Sequence, residues 1–174
     1  MKIELKNIKH SEWGSEETHC FQANIYLNGK LVGICDNDGK GGCTNYNRIP
    51  NVDYKVIREM EEYCKGLPPL EYDSHLHQGE KITIEMNLEH YLDNLFETHL
   101  KAKEKAKMTK KMEKGILIGN DYSYRIIGFK VPLIKVWTED PNFFSKTLKD
   151  SLDKYAKNGH KLLNTNIPQQ FLNN

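Results

Sequence analysis

The chain has 174 residues, 38 % of them hydrophobic and 10 % aromatic, enough for one domain with a core of its own, or at most one domain with an appended subdomain. Its 25 Lys and Arg against 24 Asp and Glu leave a formal net charge of +1, which excludes a surface built wholly for nucleic acid and leaves local patches open. No apolar run approaches the ~18 residues that span a bilayer, and MKIELKNIKH has no secretory apolar stretch, so a soluble, cytoplasmic protein is expected.

Met1, Ile3 and Leu5 alternate with Lys2, Glu4 and Lys6, which predicts a half-buried strand. The polar segment NIKHSEWGSEETH reads as irregular, with Trp13 as its anchor. CFQANIYLNGKLVGIC carries the clearest local signal. Asn28-Gly29 suits a two-residue type I′ turn, in which both central positions need positive φ. A turn centred there pairs Leu27 with Lys30 and continues in step. Phe21, Ala23, Ile25 and Leu27 then share a face with Val32 and Ile34, while Cys20, Gln22, Asn24, Tyr26, Leu31 and Cys35 take the other.

After the loop ICDNDGKGGCTN, Cys43–Ile49 returns as a third strand, stopped by Pro50. Asn51 or Asp53 can cap a helix to about Lys65, with Val52, Val56, Ile57, Met60 and Cys64 at helical spacing. Gly66 closes it, and Pro68-Pro69 prevents continuation. Residues 70–81 read as an exposed connection, and Lys81–Met86 as a short strand. Asn87 caps the longest helix, about 88–114, whose apolar stripe is Leu88, Tyr91, Leu92, Leu95, Phe96 and Leu100, thinning to Met108 and Met112. GILIGNDYSYRIIGFKVPLIKVW predicts two or three strands, with a turn at Gly119-Asn120-Asp121 and Pro132 marking an edge strand or an interrupted one. Asp140-Pro141 starts a last helix bearing Phe144, Leu148, Leu152, Tyr155 and Ala156, ended by Asn158-Gly159. The tail HKLLNTNIPQQFLNN is expected to be extended and then frayed over 168–174. The order predicts a single α+β domain over 1–174, with a mainly antiparallel sheet built from hairpins and about three helices.

Chemistry concentrates in the glycine-rich loop, where Asp38, Gly39, Lys40, Gly41 and Gly42 form a candidate ligand site. A calcium loop fails at both ends. With Gly39 in the sixth position, the first falls on Ile34 and the twelfth on Asn45. An anion cradle would use the glycine N–H groups and the Lys40 charge, but a phosphate loop must feed a helix, and here a strand is expected. Asp36 and Asp38 would also repel phosphate. A multi-residue hairpin loop explains most of the glycines, though three are more than one hairpin needs.

Six of the seven histidines (His10, His19, His75, His77, His90, His99) and the cysteines (Cys20, Cys35, Cys43, Cys64) show no C-x-x-C and no spacing that completes a familiar zinc site. No metal or cofactor is assigned, and the cysteines are expected as free thiols. Neither G-x-S-x-G nor H-E-x-x-H occurs. Between Lys101 and Lys114 stand seven lysines and two glutamates. Lys103, Lys107, Lys110, Lys111 and Lys114 are candidate polyanion contacts, weakened by the lack of arginine and interleaved aromatics; a solvated helix end is the plainer account.

FQANIYLNGKLVGICDNDGKGGCTNY, the lysine-rich segment running into MEKGILIG, and LLNTNIP together resemble small proteins of bacteriophages and related mobile elements. The resemblance implies a phage-type cytoplasmic setting and carries over no activity or functional residue. Three functions stay open. The first is a non-enzymatic binding protein contacting a host or phage macromolecule. The second is a binder of a nucleotide or other phosphate compound through the glycine loop. The third is a metal-dependent enzyme acting on nucleic acid.

Overall fold

The computed structural model describes residues 1–73, 81–120, 123–157 and 159–172. Its helices and antiparallel sheets make an α+β fold. The sequence suggests one domain over 1–174; by contacts the chain separates into two compact units, Met1–Leu100 and Lys101–Asn174.

Unit 1 opens with a four-stranded antiparallel meander of β1 (Ile3–Ser11), β2 (Cys20–Leu27), β3 (Lys30–Asn37) and β4 (Asn45–Arg48). The β2–β3 turn has the positive φ values its sequence demands, 49° at Asn28 and 83° at Gly29. Leu27 pairs with Lys30 and Tyr26 with Leu31, but Ile25 pairs with Gly33. Val32 is therefore an extra residue in β3, and beyond it the faces are reversed from those expected. Cys35 is fully buried and Ile34 is 38 % exposed. Burial pushes the Cys35 thiol up to about 12, with the Asp36 and Asp93 charges adding to it. β1 runs further than its alternation suggested, through a bulge between Lys6 and Lys9. Trp13 is no anchor: it is 96 % exposed in the following loop.

Helix α1 (Tyr54–Lys65) is capped by Asp53, whose side chain accepts from the Lys55 N–H, and ends at Gly66. Where an exposed connection was expected, β5 (Leu70–Asp73) pairs with β6 (Lys81–Ile84). Helix α2 (Leu88–Met112) follows, with Asn87 Oδ1 accepting from the His90 N–H at 2.8 Å. The unit 1 core joins Phe21, Ala23, Ile25, Val32 and Cys35 of the meander to Ile57, Met60 and Cys64 of α1 and Leu88, Leu92 and Phe96 of α2. Each large apolar side chain buried this way contributes about 1.5–3 kcal/mol.

Unit 2 is centred on β7 (Gly115–Gly119), every residue of which is buried, between β8 (Tyr124–Gly128) and β9 (Lys161–Leu162). LIKVW, expected as strand, belongs to helix α3 (Leu133–Glu139). Leu133 and Val136, three apart, are both buried and Ile134 between them is exposed, which is a helical period. Pro132 precedes its first turn. Helix α4 (Pro141–Tyr155) begins at Asp140, which accepts from the Phe143 N–H. The chain then forms a 3-10 turn at Gln169–Phe171, where fraying was expected. Phe171 is buried against Phe144, ring centroids 4.9 Å apart, and this contact orders the segment. The expected roles of Asp121 and Asn158, and the His75/His77 pair, lie outside the described residues.

Candidate functional site

The glycine loop borders a cavity of about 620 Å³ in unit 1. Its wall comes from three places: the β1–β2 loop (Ser15 to His19), the end of the glycine loop (Gly41, Gly42, Cys43), and one face of α2 (Glu89, His90, Asp93, Phe96, Glu97). Phe21 and Asn37 complete it. Phe21 and Phe96 stack at 4.0 Å, and the rings of His10 and His19 each sit 5.4 Å from Phe96.

Asn37 organises the rim. Its Oδ1 accepts from Thr18 Oγ1 at 2.8 Å and from the Gly39 N–H at 2.9 Å, and its Nδ2 donates to the Gly42 carbonyl at 2.9 Å and to Thr44 Oγ1 at 3.2 Å. One buried amide thus ties the β1–β2 loop, the glycine loop and the start of β4 together. Thr44 extends the network to α2: its hydroxyl donates to Asp93 Oδ1 at 2.5 Å and its N–H to Glu89 Oε1 at 3.2 Å.

The loop residues divide in their roles. Gly39 is buried, with φ 85°, and a Cβ there would lie 2.1 Å from the Gly14 carbonyl oxygen. Its own carbonyl accepts from three successive N–H groups, those of Glu16, Glu17 and Thr18. Such a run of N–H groups is what an anion would occupy; here a backbone carbonyl fills it. Gly41 (φ 84°) and Gly42 line the cavity, and a Cβ on Gly42 would meet nothing within 4 Å. Asp38 folds back to accept from the Lys40 N–H. Lys40 is exposed, and neither it nor Asp38 lines the cavity.

Glu89, His90 and Asp93 were not singled out together by the sequence. Spaced i, i+1 and i+4 on α2, they bring one donor atom each to within 4.8 Å of one another. The spacing of Glu89 and Asp93 was the available signal, since residues four apart share a helix face. Burial holds the Asp93 carboxyl above the usual carboxylate range; the hydrogen bond from Thr44 opposes it, and the Glu89 charge adds to it. Cys43 gives its thiol hydrogen bond to Glu89, which pushes the thiol up. His19 Nε2 lies 3.3 Å from Glu97 Oε1. In all, Glu16, Glu17, Glu89, Asp93 and Glu97 put five carboxylates around the cavity, with two imidazoles and no lysine or arginine among the described lining residues.

The other predicted residues lie apart from the cavity. Lys103, Lys107, Lys110 and Lys111 are exposed on the unit 2 part of α2, and Lys114 follows its end. Lys111 Nζ bonds the Tyr124 hydroxyl. Among the described residues, no helix is long and apolar enough to cross a membrane. Compared with protein-family models, curated proteins and solved structures, the chain finds no match.

Proposed function

We propose that the protein is a binding protein whose unit 1 cavity takes a positively charged ligand, the simplest being a divalent metal ion held by Glu89, His90 and Asp93. The observation that carries this reading is the charge of the wall, five carboxylates without a lysine or arginine among the described lining residues. A phosphate ligand would need the opposite lining, and Lys40, the cation expected to meet it, is not in the wall. Two carboxylates and an imidazole suit a divalent ion such as manganese or zinc. Such an ion would displace any proton on Asp93 and offset the repulsion from Glu89. Calorimetric titration with manganese and zinc chlorides tests this. We expect one ion per chain, lost in the folded Glu89→Gln/Asp93→Asn variant. No heat with either ion contradicts it. Nucleic-acid cleavage that depends on the added ion would move the reading to a metal-dependent enzyme.

A second reading has an observation of its own. Unit 1 holds 10 Lys and Arg against 17 Asp and Glu, net −7, and unit 2 holds 15 against 7, net +8. The near-neutral total hides this segregation. We propose that unit 2 contacts a polyanion, in the cytoplasmic, phage-type setting that the sequence resemblance implies.

A further inference from the structure

We infer that the polyanion met by unit 2 is single-stranded nucleic acid, lying along the lysine face of α2 with Tyr124 of β8 beside it. The inference rests on the polyanion reading of unit 2. Lys103, Lys107, Lys110 and Lys111 fall at i, i+4, i+7 and i+8, so the helical period puts them on one face. At ~1.5 Å per residue they span about 12 Å of helix, a row of cations of the length of a few nucleotides. All four are exposed, and among the described residues none makes an ion pair within 4.0 Å. Lys55, Lys65 and Lys81 of unit 1, by contrast, each face a glutamate.

The aromatic group that the lysine run lacks in sequence is supplied by the fold. Tyr124, on the edge strand β8, is 38 % exposed, and Lys111 Nζ lies 4.9 Å from its ring centroid. A cationic row with an exposed ring at its end is the arrangement that holds a single strand, the phosphates on the lysines and a base against the ring. An anionic membrane is the weaker fit. Between Lys101 and Met112 the apolar residues of α2 are Ala102, Ala106, Met108 and Met112, with no leucine, phenylalanine or tryptophan to enter a bilayer. Lysines without a bidentate arginine contact backbone, so the binding is tolerant of base sequence.

The test is fluorescence anisotropy of the full chain with a labelled thymidine oligonucleotide, alongside heparin and vesicles rich in anionic lipid. Four phosphate contacts at ~0.7 each give an expected slope of log affinity against log salt of about −3. Lys103→Glu/Lys107→Glu/Lys110→Glu, with circular dichroism unchanged, should weaken binding at least about tenfold at low salt and flatten that slope. Tyr124→Ala should weaken it about fivefold or more and leave the slope unchanged. Oligonucleotide binding that ignores the lysine changes overturns the surface. Binding to heparin or vesicles without binding to the oligonucleotide overturns the nucleic-acid inference and leaves the polyanion reading standing. Binding to none of the three overturns both.

Discussion

The two units use one stabilising device for different ends. Each has a buried asparagine whose amide spans separate backbone segments. In unit 1, Asn37 joins Thr18, Gly39, Gly42 and Thr44, all of them loop or rim groups beside a cavity. In unit 2, Asn164 accepts from the Leu117 N–H at 2.6 Å and donates to the Gly115 carbonyl at 3.0 Å, locking the C-terminal segment onto the central strand. The first network holds a concave surface open among acids, and the second closes a core beneath a basic surface. Their charges, −7 and +8, are opposite although the chain as a whole is near neutral.

The largest expected effects probe the cores. Phe96→Ala and Phe144→Ala remove rings that are almost fully buried, and each should lower stability by about 3–5 kcal/mol in urea unfolding. Phe96→Ala should also abolish ligand binding in the cavity it lines, and Phe144→Ala, at matched residual folding, should not. Next comes Gly39→Ala, where the new methyl would meet a backbone carbonyl at a positive φ. We expect a loss of about 1–3 kcal/mol from overpacking, against a change within about 0.5 kcal/mol for Gly42→Ala. Equal effects at the two glycines would break the division of roles in the loop.

Asn37→Ala and Asn164→Ala should each cost about 1–3 kcal/mol by leaving buried partners unsatisfied. Only Asn37→Ala should weaken cation binding, since Asn164 serves unit 2. The smallest effect is in pH. Burial raises the Asp93 pKa in the folded protein, with Glu89 and Glu97 adding and the Thr44 hydrogen bond and His90 opposing. A carboxyl whose folded pKa is raised contributes stability that is fully present below its unfolded value and lost as pH rises through the folded value. Stability from this group therefore falls across the window just above the ordinary aspartate range. Asp93→Asn should remove that pH dependence from the melting curve, whereas a cation, competing with the proton, should bind more weakly as pH drops through the same window.

Turn and cap chemistry made much of this fold legible. Asn28-Gly29, Asp53, Asn87 and Asp140-Pro141 each act where their side chains or φ preferences dictate. What escaped was decided by tertiary packing. The extra residue Val32 inverts the far end of β3 without a local signature, exchanging Ile34 for Cys35 in the core. The seven residues of α3 are too few for an apolar run to declare its period. The surplus of glycine has its account in the approach of Gly14 to Gly39, a contact between loops distant in sequence. Glu89, His90 and Asp93 were visible only as scattered acids and one histidine until α2 placed them against the glycine loop. The segregation of charge, in contrast, was present in the sequence and needed only a boundary near Leu100 to be seen.

The most direct test of the cavity's polarity is the melting temperature of the full chain in the presence of manganese, and separately of a metal-free nucleoside triphosphate. The melting temperature should rise with manganese concentration, the rise should vanish in Glu89→Gln/Asp93→Asn, and no nucleotide effect should depend on Lys40. A flat response to manganese, together with a nucleotide-induced rise abolished by Lys40→Ala, would contradict it.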